Sequence, residues 1–148
     1  MGESKADAGD APRIVVGFDG SDESLSALEW AARQAELTGS ALEIVAAWEW
    51  PTSLGWAPMP GYDPVAETKK LLEPTLKSLR DARPKVAVGW KVVEGHPAPV
   101  LVSESHGAEL LVVGRRGHGE FVGMLIGSTS EYCVANAACP VVVFRSKD

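Results

Sequence analysis

The chain has 148 residues, of which 45% are hydrophobic and 23% charged, and its formal net charge is −6. This is the length and composition of one compact domain with a single core. The acidic balance, with no Lys/Arg stripe to offset it, argues against nucleic acid as a partner. The absence of a long apolar span or a signal-peptide h-region argues against a membrane, and a cytoplasmic location is expected.

Residues 1–11 form a polar leader rich in Ala, Gly and Asp with nothing to bury, so it is expected to be disordered, and residues 12–148 are expected to be the domain. Ile14-Val15-Val16-Gly17-Phe18 has the continuous apolar character of a strand buried on both faces. It ends at Asp19-Gly20-Ser21, a turn and helix-start signal. Leu25, Leu28, Ala32, Ala35 and Leu37 then mark the apolar face of a helix over about Asp22 to Thr38, closed by Gly39. Ala41 to Trp48 reads as the second strand.

From Glu49 to Asp63 the composition changes: Pro51, Pro58 and Pro60 interleave with Trp50, Trp56 and Tyr62, and no central strand or helix tolerates that pattern. So long a loop would cap the core or wall a ligand cleft. Helical spacing resumes over Val65 to Ala82, where Pro74 is expected to kink or divide the helix. Lys85 to Glu94 reads as a third strand, Gly95-His96-Pro97 breaks it, and Pro99 to His106 makes a short helix. Glu109 to Val113, Ser128 to Ala138 and Pro140 to Arg145 supply the last strand, helix and strand. Strand–helix alternation of this kind specifies a mostly parallel sheet with helices on both faces, the doubly wound, Rossmann-like α/β class. Ligands of such sheets bind beyond the C-terminal ends of the strands. Asp19, Ala47 and Gly114 all stand at that end.

The richest signal is the loop after the fourth strand. Gly114-x-x-Gly117 is followed by nine residues and then Gly127-Ser128. Glycines there let the main chain approach an anion closely, and a helix beginning at Ser128 offers its N–H groups. Two familiar phosphate motifs do not fit: a Walker A loop needs a lysine that Gly123 to Ser128 lacks, and in a dinucleotide fingerprint the third glycine would have to come one residue before Gly123. Cys133 and Cys139 match no metal or redox spacing and read as small buried thiols. His96, His106 and His118 are scattered, without a carboxylate pattern for a metal.

With the whole spacing present, the chain from Arg13 to Ser146 resembles an ATP-binding member of the universal stress protein family, of an actinobacterial kind in Ala47-Trp48-Glu49-Trp50-Pro51. The resemblance implies a five-stranded sheet of order 3-2-1-4-5. It implies that Gly17 and Asp19 meet the ribose and adenine side and that the Ala47 backbone reads the adenine edge. Val113, Gly114, Arg115, Arg116, Gly117 and Gly119 would enclose ribose and phosphates, Gly127, Ser128 and Thr129 would hold the terminal phosphates, and Gly95-His96-Pro97 would border the nucleotide. The implied ligand is ATP with Mg2+, with Asp19 as a contact to the nucleotide-bound cation. Cyclic AMP (cAMP) is an alternative that would use the same base and ribose contacts.

Three functional classes follow. One is a nucleotide-binding regulatory or stress-response module with at most slow hydrolysis, favoured because the motif positions no general base. The second is an ATP-using enzyme of the same architecture, and the third a structural dimer with an empty cleft. A homodimer is expected through the apolar final strand at 140–145, which the family's strand order places at a sheet edge.

Overall fold

The computed structural model describes residues 2–4, 11–49, 61, 63–115 and 126–146. In chain order its elements are β1 (Glu3–Ser4), β2 (Arg13–Gly17), α1 (Asp22–Thr38), β3 (Ala41–Trp48), α2 (Pro64–Ala82), β4 (Val88–Glu94), α3 (Pro97–Glu104), β5 (Leu110–Gly114), α4 (Ser128–Asn136) and β6 (Val141–Phe144). The sheet order is β1-β4-β3-β2-β5-β6. The five strands from β2 onward pair in parallel in the 3-2-1-4-5 order, and β1 lies antiparallel to β4.

Alternation along the strands divides the core in two. Ile14, Val16, Leu42, Ile44 and Val112 face α1 and α2, while Val15, Val45, Leu111 and Val113 face α3 and α4. Successive strand residues point to opposite faces, so apolar residues at every position are what a sheet covered on both sides requires. Helix α1 begins at the Ser21 N-cap, whose side chain accepts from Ser24 N, and stops at Gly39, where φ is 71°. That left-handed value suits glycine.

Several boundaries differ from expectation. Pro74 neither divides nor ends α2, which runs uninterrupted from Pro64 to Ala82. Pro74 is exposed, so the carbonyl that loses its helical donor can turn to water. The third strand starts at Val88 rather than Lys85, because Pro84, Lys85 and Val86 are taken up by a turn in which Val86 N donates to Arg83 O. Helix α3 starts earlier than expected, at Pro97. A proline in the first turn has no N–H to lose from the helix.

The leader also departs from expectation. Glu3 and Ser4 pair with Lys91 and Trp90, and Val92 N donates to Gly2 O at 2.8 Å. Strand β4 would otherwise present unpaired N–H and C=O groups at the sheet edge, and the leader supplies partners for them. Residues 1 and 5–10 of the expected disordered leader lie outside the described residues, as do residues 50–60 and 62 of the Trp/Pro-rich loop. Of the two thiols, Cys133 is fully buried, but Cys139 is only half-buried, because it sits in the short link between α4 and β6 rather than on the helix.

Candidate functional site

At the C-terminal ends of the central strands the described residues enclose a cleft of about 280 Å³. Its floor comes from the ends of β2, β3 and β5 through Gly17, Val45, Ala47, Val113 and Gly114. Phe18, Asp19 and Ser24 come from the turn into α1, Pro97 and Leu101 from α3, and Gly127, Thr129 and Ser130 from the start of α4. Strand ends, two helix starts and one turn therefore converge on one concavity. That convergence is the switch-point geometry of a doubly wound sheet, where neighbouring connections leave to opposite faces.

The Asp19 turn is tightly made. Asp19 Oδ1 accepts from Ser21 N at 2.9 Å and from Ser21 Oγ at 2.5 Å. Ser24 Oγ accepts from Asp19 N at 3.4 Å and donates to Ser21 O at 2.9 Å. The carboxylate thus starts the helix as an Asx turn while standing at the cleft. Gly17 leaves room on the floor: a Cβ there would lie 3.0 Å from Leu101 Cδ1 and 3.6 Å from Val113 Cγ1, both cleft atoms.

The opposite wall is polar in a different way. Gly127 is the N-cap of α4 and provides no side-chain cap, so among the described residues the first-turn N–H groups lack the usual hydroxyl or carboxylate acceptor of an N-cap. The root of the glycine loop is closed by Arg115 O, which accepts from Gly127 N at 2.7 Å and from Ser130 Oγ at 2.9 Å. Helix start and loop root are thereby held together beside the cleft. An anion placed there would meet backbone donors and the positive end of a helix.

Of the residues singled out from sequence, Gly17, Asp19, Ala47, Val113, Gly114, Gly127 and Thr129 line this cleft. Ser128 is exposed and is not on its wall, and the Arg115 side chain turns instead toward Glu23, with Nε 3.9 Å from Oε1. Arg116, Gly117 and Gly119 lie outside the described residues. His96 stands at the rim next to Pro97, with Nδ1 3.1 Å from Glu49 Oε1. Sequence reasoning missed Phe18, Ser24, Val45, Leu101 and Ser130. Val45 was accessible, since it lies two residues before Ala47 on the same strand face, and Ser130 sits in the same helical turn as Ser128.

Comparison with known proteins agrees with this geometry. The family model described as "Universal stress protein family" matches residues 11–145. The chain belongs to the universal stress protein family. Universal stress protein Rv1996 of Mycobacterium tuberculosis is 38% identical over 138 residues, which cover 89% of this chain and 43% of that relative. This universal stress protein therefore spans less than half the length of that curated relative. Among solved structures, universal stress protein UspA from Lactobacillus plantarum superimposes with a TM-score of 0.76 at 21% identity, covering 91% of this chain and 98% of that one. A universal stress protein solved in complex with cAMP gives a TM-score of 0.65 at 27% identity, covering 90% and 95% of the two chains.

Proposed function

We propose that this universal stress protein binds an adenine nucleotide in the cleft, ATP with Mg2+ or alternatively cAMP, and acts as a dimeric regulatory module with at most slow ATP hydrolysis. The observation that carries this reading is the meeting of an apolar floor and an anion-accepting helix start in one concavity. Val45, Leu101 and Val113 suit the faces of a base, and the start of α4, where the Gly127 N-cap brings no side chain of its own, suits a phosphate. Asp19 is the one carboxylate among the described lining residues. It would serve a ribose hydroxyl or a Mg2+ carried in by the phosphates, which neutralises their charge. The cAMP reading draws support from the solved relative that holds that ligand.

Self-association through β6 is part of the proposal. Among the described residues this strand pairs only with β5, and its four residues are half-buried, which supports its outer edge as the place where a second copy adds.

Titration calorimetry with ATP, cAMP and adenosine tests the site. Gly17→Val is expected to weaken all three by at least about tenfold, because its methyls would enter the floor against Leu101 and Val113. Unchanged affinities in a variant with wild-type circular dichroism would remove the cleft as the binding site. A phosphate-release assay with Mg2+ addresses chemistry: rapid turnover that disappears in Asp19→Ala would replace the regulatory reading with an ATP-using enzyme.

A further inference from the structure

One carboxylate just outside the cleft, on α1, touches two other segments, the root of the glycine loop and the stretch after β6. Glu23 lies in the first turn of α1, two residues beyond the Ser21 N-cap. Its Oε2 accepts from Ser146 Oγ at 2.6 Å, on the segment that leaves edge strand β6. Its Oε1 lies 3.9 Å from Arg115 Nε, at the root of the glycine loop. The side chains of Arg115 and Glu23 are 16% and 15% exposed. The two facing atoms, Arg115 Nε and Glu23 Oε1, are shut off from solvent and have no hydrogen-bond partner among the described residues.

Arg115 is also tied in through its backbone. Its N–H donates to Phe144 O at 2.8 Å, extending the β5–β6 ladder, while its carbonyl holds Gly127 N and Ser130 Oγ at the start of α4. A movement of Arg115 therefore moves both the cleft wall and the end of the edge strand.

The 3.9 Å separation is a half-made contact. The two facing atoms have left water, but the charge-assisted hydrogen bond that would offset this forms at roughly 2.7–2.9 Å, about 1 Å closer. A small shift of the loop root would complete the contact. An anion at the start of α4 acts on that root from the cleft, and a strand added to β6 acts on it through Phe144 and Ser146.

We propose that Glu23 is a positioning residue that, through Arg115 and Ser146, couples nucleotide occupancy of the cleft to pairing of a second copy at the β6 edge. This inference rests on the nucleotide and self-association readings above and assigns the regulation of that same site. A filled cleft orders the loop root and with it the Phe144–Ser146 segment, so less order remains to be imposed when the second copy pairs. Nucleotide then tightens the dimer, and by linkage the dimer binds nucleotide more tightly by the same factor.

The test uses the full chain, with sedimentation equilibrium in the absence and presence of saturating ATP and Mg2+, and calorimetry of ATP binding run separately. In the wild type ATP is expected to lower the dimer dissociation constant by about fivefold or more. In Glu23→Gln, which keeps the shape and removes the charge, that factor falls below about twofold while binding heat and dimer both remain measurable. Ser146→Ala deletes one arm of the connection without touching the buried pair, and should lower the factor partway. Asp22→Asn removes an exposed charge from the same helical turn and should leave the factor intact, which separates coupling from a general effect on the helix terminus. A full factor in both Glu23→Gln and Ser146→Ala, or a wild-type factor of one, overturns the coupling alone. A wild type with no binding heat overturns the nucleotide reading, and one that is monomeric throughout overturns the edge reading. Either result takes the coupling with it, and the two are read by different instruments.

Discussion

On the sheet face covered by α1 and α2, Ile14, Val16, Leu42, Ile44 and Val112 pack with Ala27, Leu28, Leu72 and Leu76 in one continuous apolar layer, whereas the face under α3 and α4 has a much smaller buried cluster around Val15, Val45, Leu101, Leu111, Val113 and Cys133. The second face is completed with ions. Arg13 Nη1 lies 3.2 Å from Glu43 Oε2, and Lys91 Nζ lies 3.1 Å from Glu104 Oε1 and 3.7 Å from Glu43 Oε1. Its helices are also short, 8 residues in α3 and 9 in α4, against 17 and 19 in α1 and α2. The cleft opens on this thinner face, where Val45, Leu101 and Val113 belong both to the small cluster and to the cleft floor. Close packing leaves no space for a ligand, so the concavity forms where the covering helices are short.

If the two faces divide stability from binding, two truncations of similar size should separate them. Ile44→Ala on the thick face is expected to cost about 2–5 kcal/mol of unfolding free energy in urea, with nucleotide affinity of the folded protein changed by less than about twofold. Leu101→Ala on the thin face should cost about the same and also weaken nucleotide binding, by roughly tenfold, because its side chain packs at the cleft floor. Equal effects on affinity would erase the distinction.

The thin face carries a titrating probe of its own. Burial pushes the Cys133 thiol up from 9.0 to about 11, so the folded chain keeps a proton that the unfolded chain loses first. In that window the unfolded state binds fewer protons, and stability must fall as pH rises from about 9 to about 11, by on the order of 2 kcal/mol. Below that window the contribution is fully present. Urea denaturation on the two sides of its lower edge, at about pH 7.5 and about pH 10.5, checks this, and Cys133→Ala should show a shallower decline. Cys139, also raised by burial but half-exposed, should be the faster of the two thiols to alkylate under native conditions.

The smallest effect belongs to the ionic part of the thin face. Glu43→Gln should cost on the order of 1 kcal/mol or less, since Glu43 remains 23% exposed and its partners keep access to solvent. Added salt should shrink the difference from wild type. A cost as large as that of Ile44→Ala would mean that the ions, rather than the apolar cluster, hold this face.

Much of the scaffold was legible because its signals are local. The Asp22 to Thr38 helix and the Ala41 to Trp48 strand appear with the expected bounds, since an N-cap, an apolar face and a C-terminal glycine lie within one short window. The cleft was legible in part for the same reason: Gly17, Asp19, Ala47, Gly114 and Gly127 announce themselves as strand ends and helix starts. Leu101 and Val45 did not, because an apolar residue that floors a cleft carries the same sequence signal as one that fills a core. Pro74 does not divide α2, because proline's penalty depends on whether the freed carbonyl faces water, which the one-dimensional pattern does not record.

By itself, then, the sequence determined the alternation of strands and helices, the parallel sheet that such alternation requires, and the backbone positions at its C-terminal edge. These depend on periodicity and on the conformational limits of glycine and proline, which act over a few residues. Tertiary structure alone decided which side chains those positions meet. It turned Arg115 toward Glu23, brought Ser146 to a residue 123 positions away, and laid Glu3 and Ser4 along β4. Such contacts are chosen by the packing of the whole chain, where burial and the need to pair each polar group are settled together.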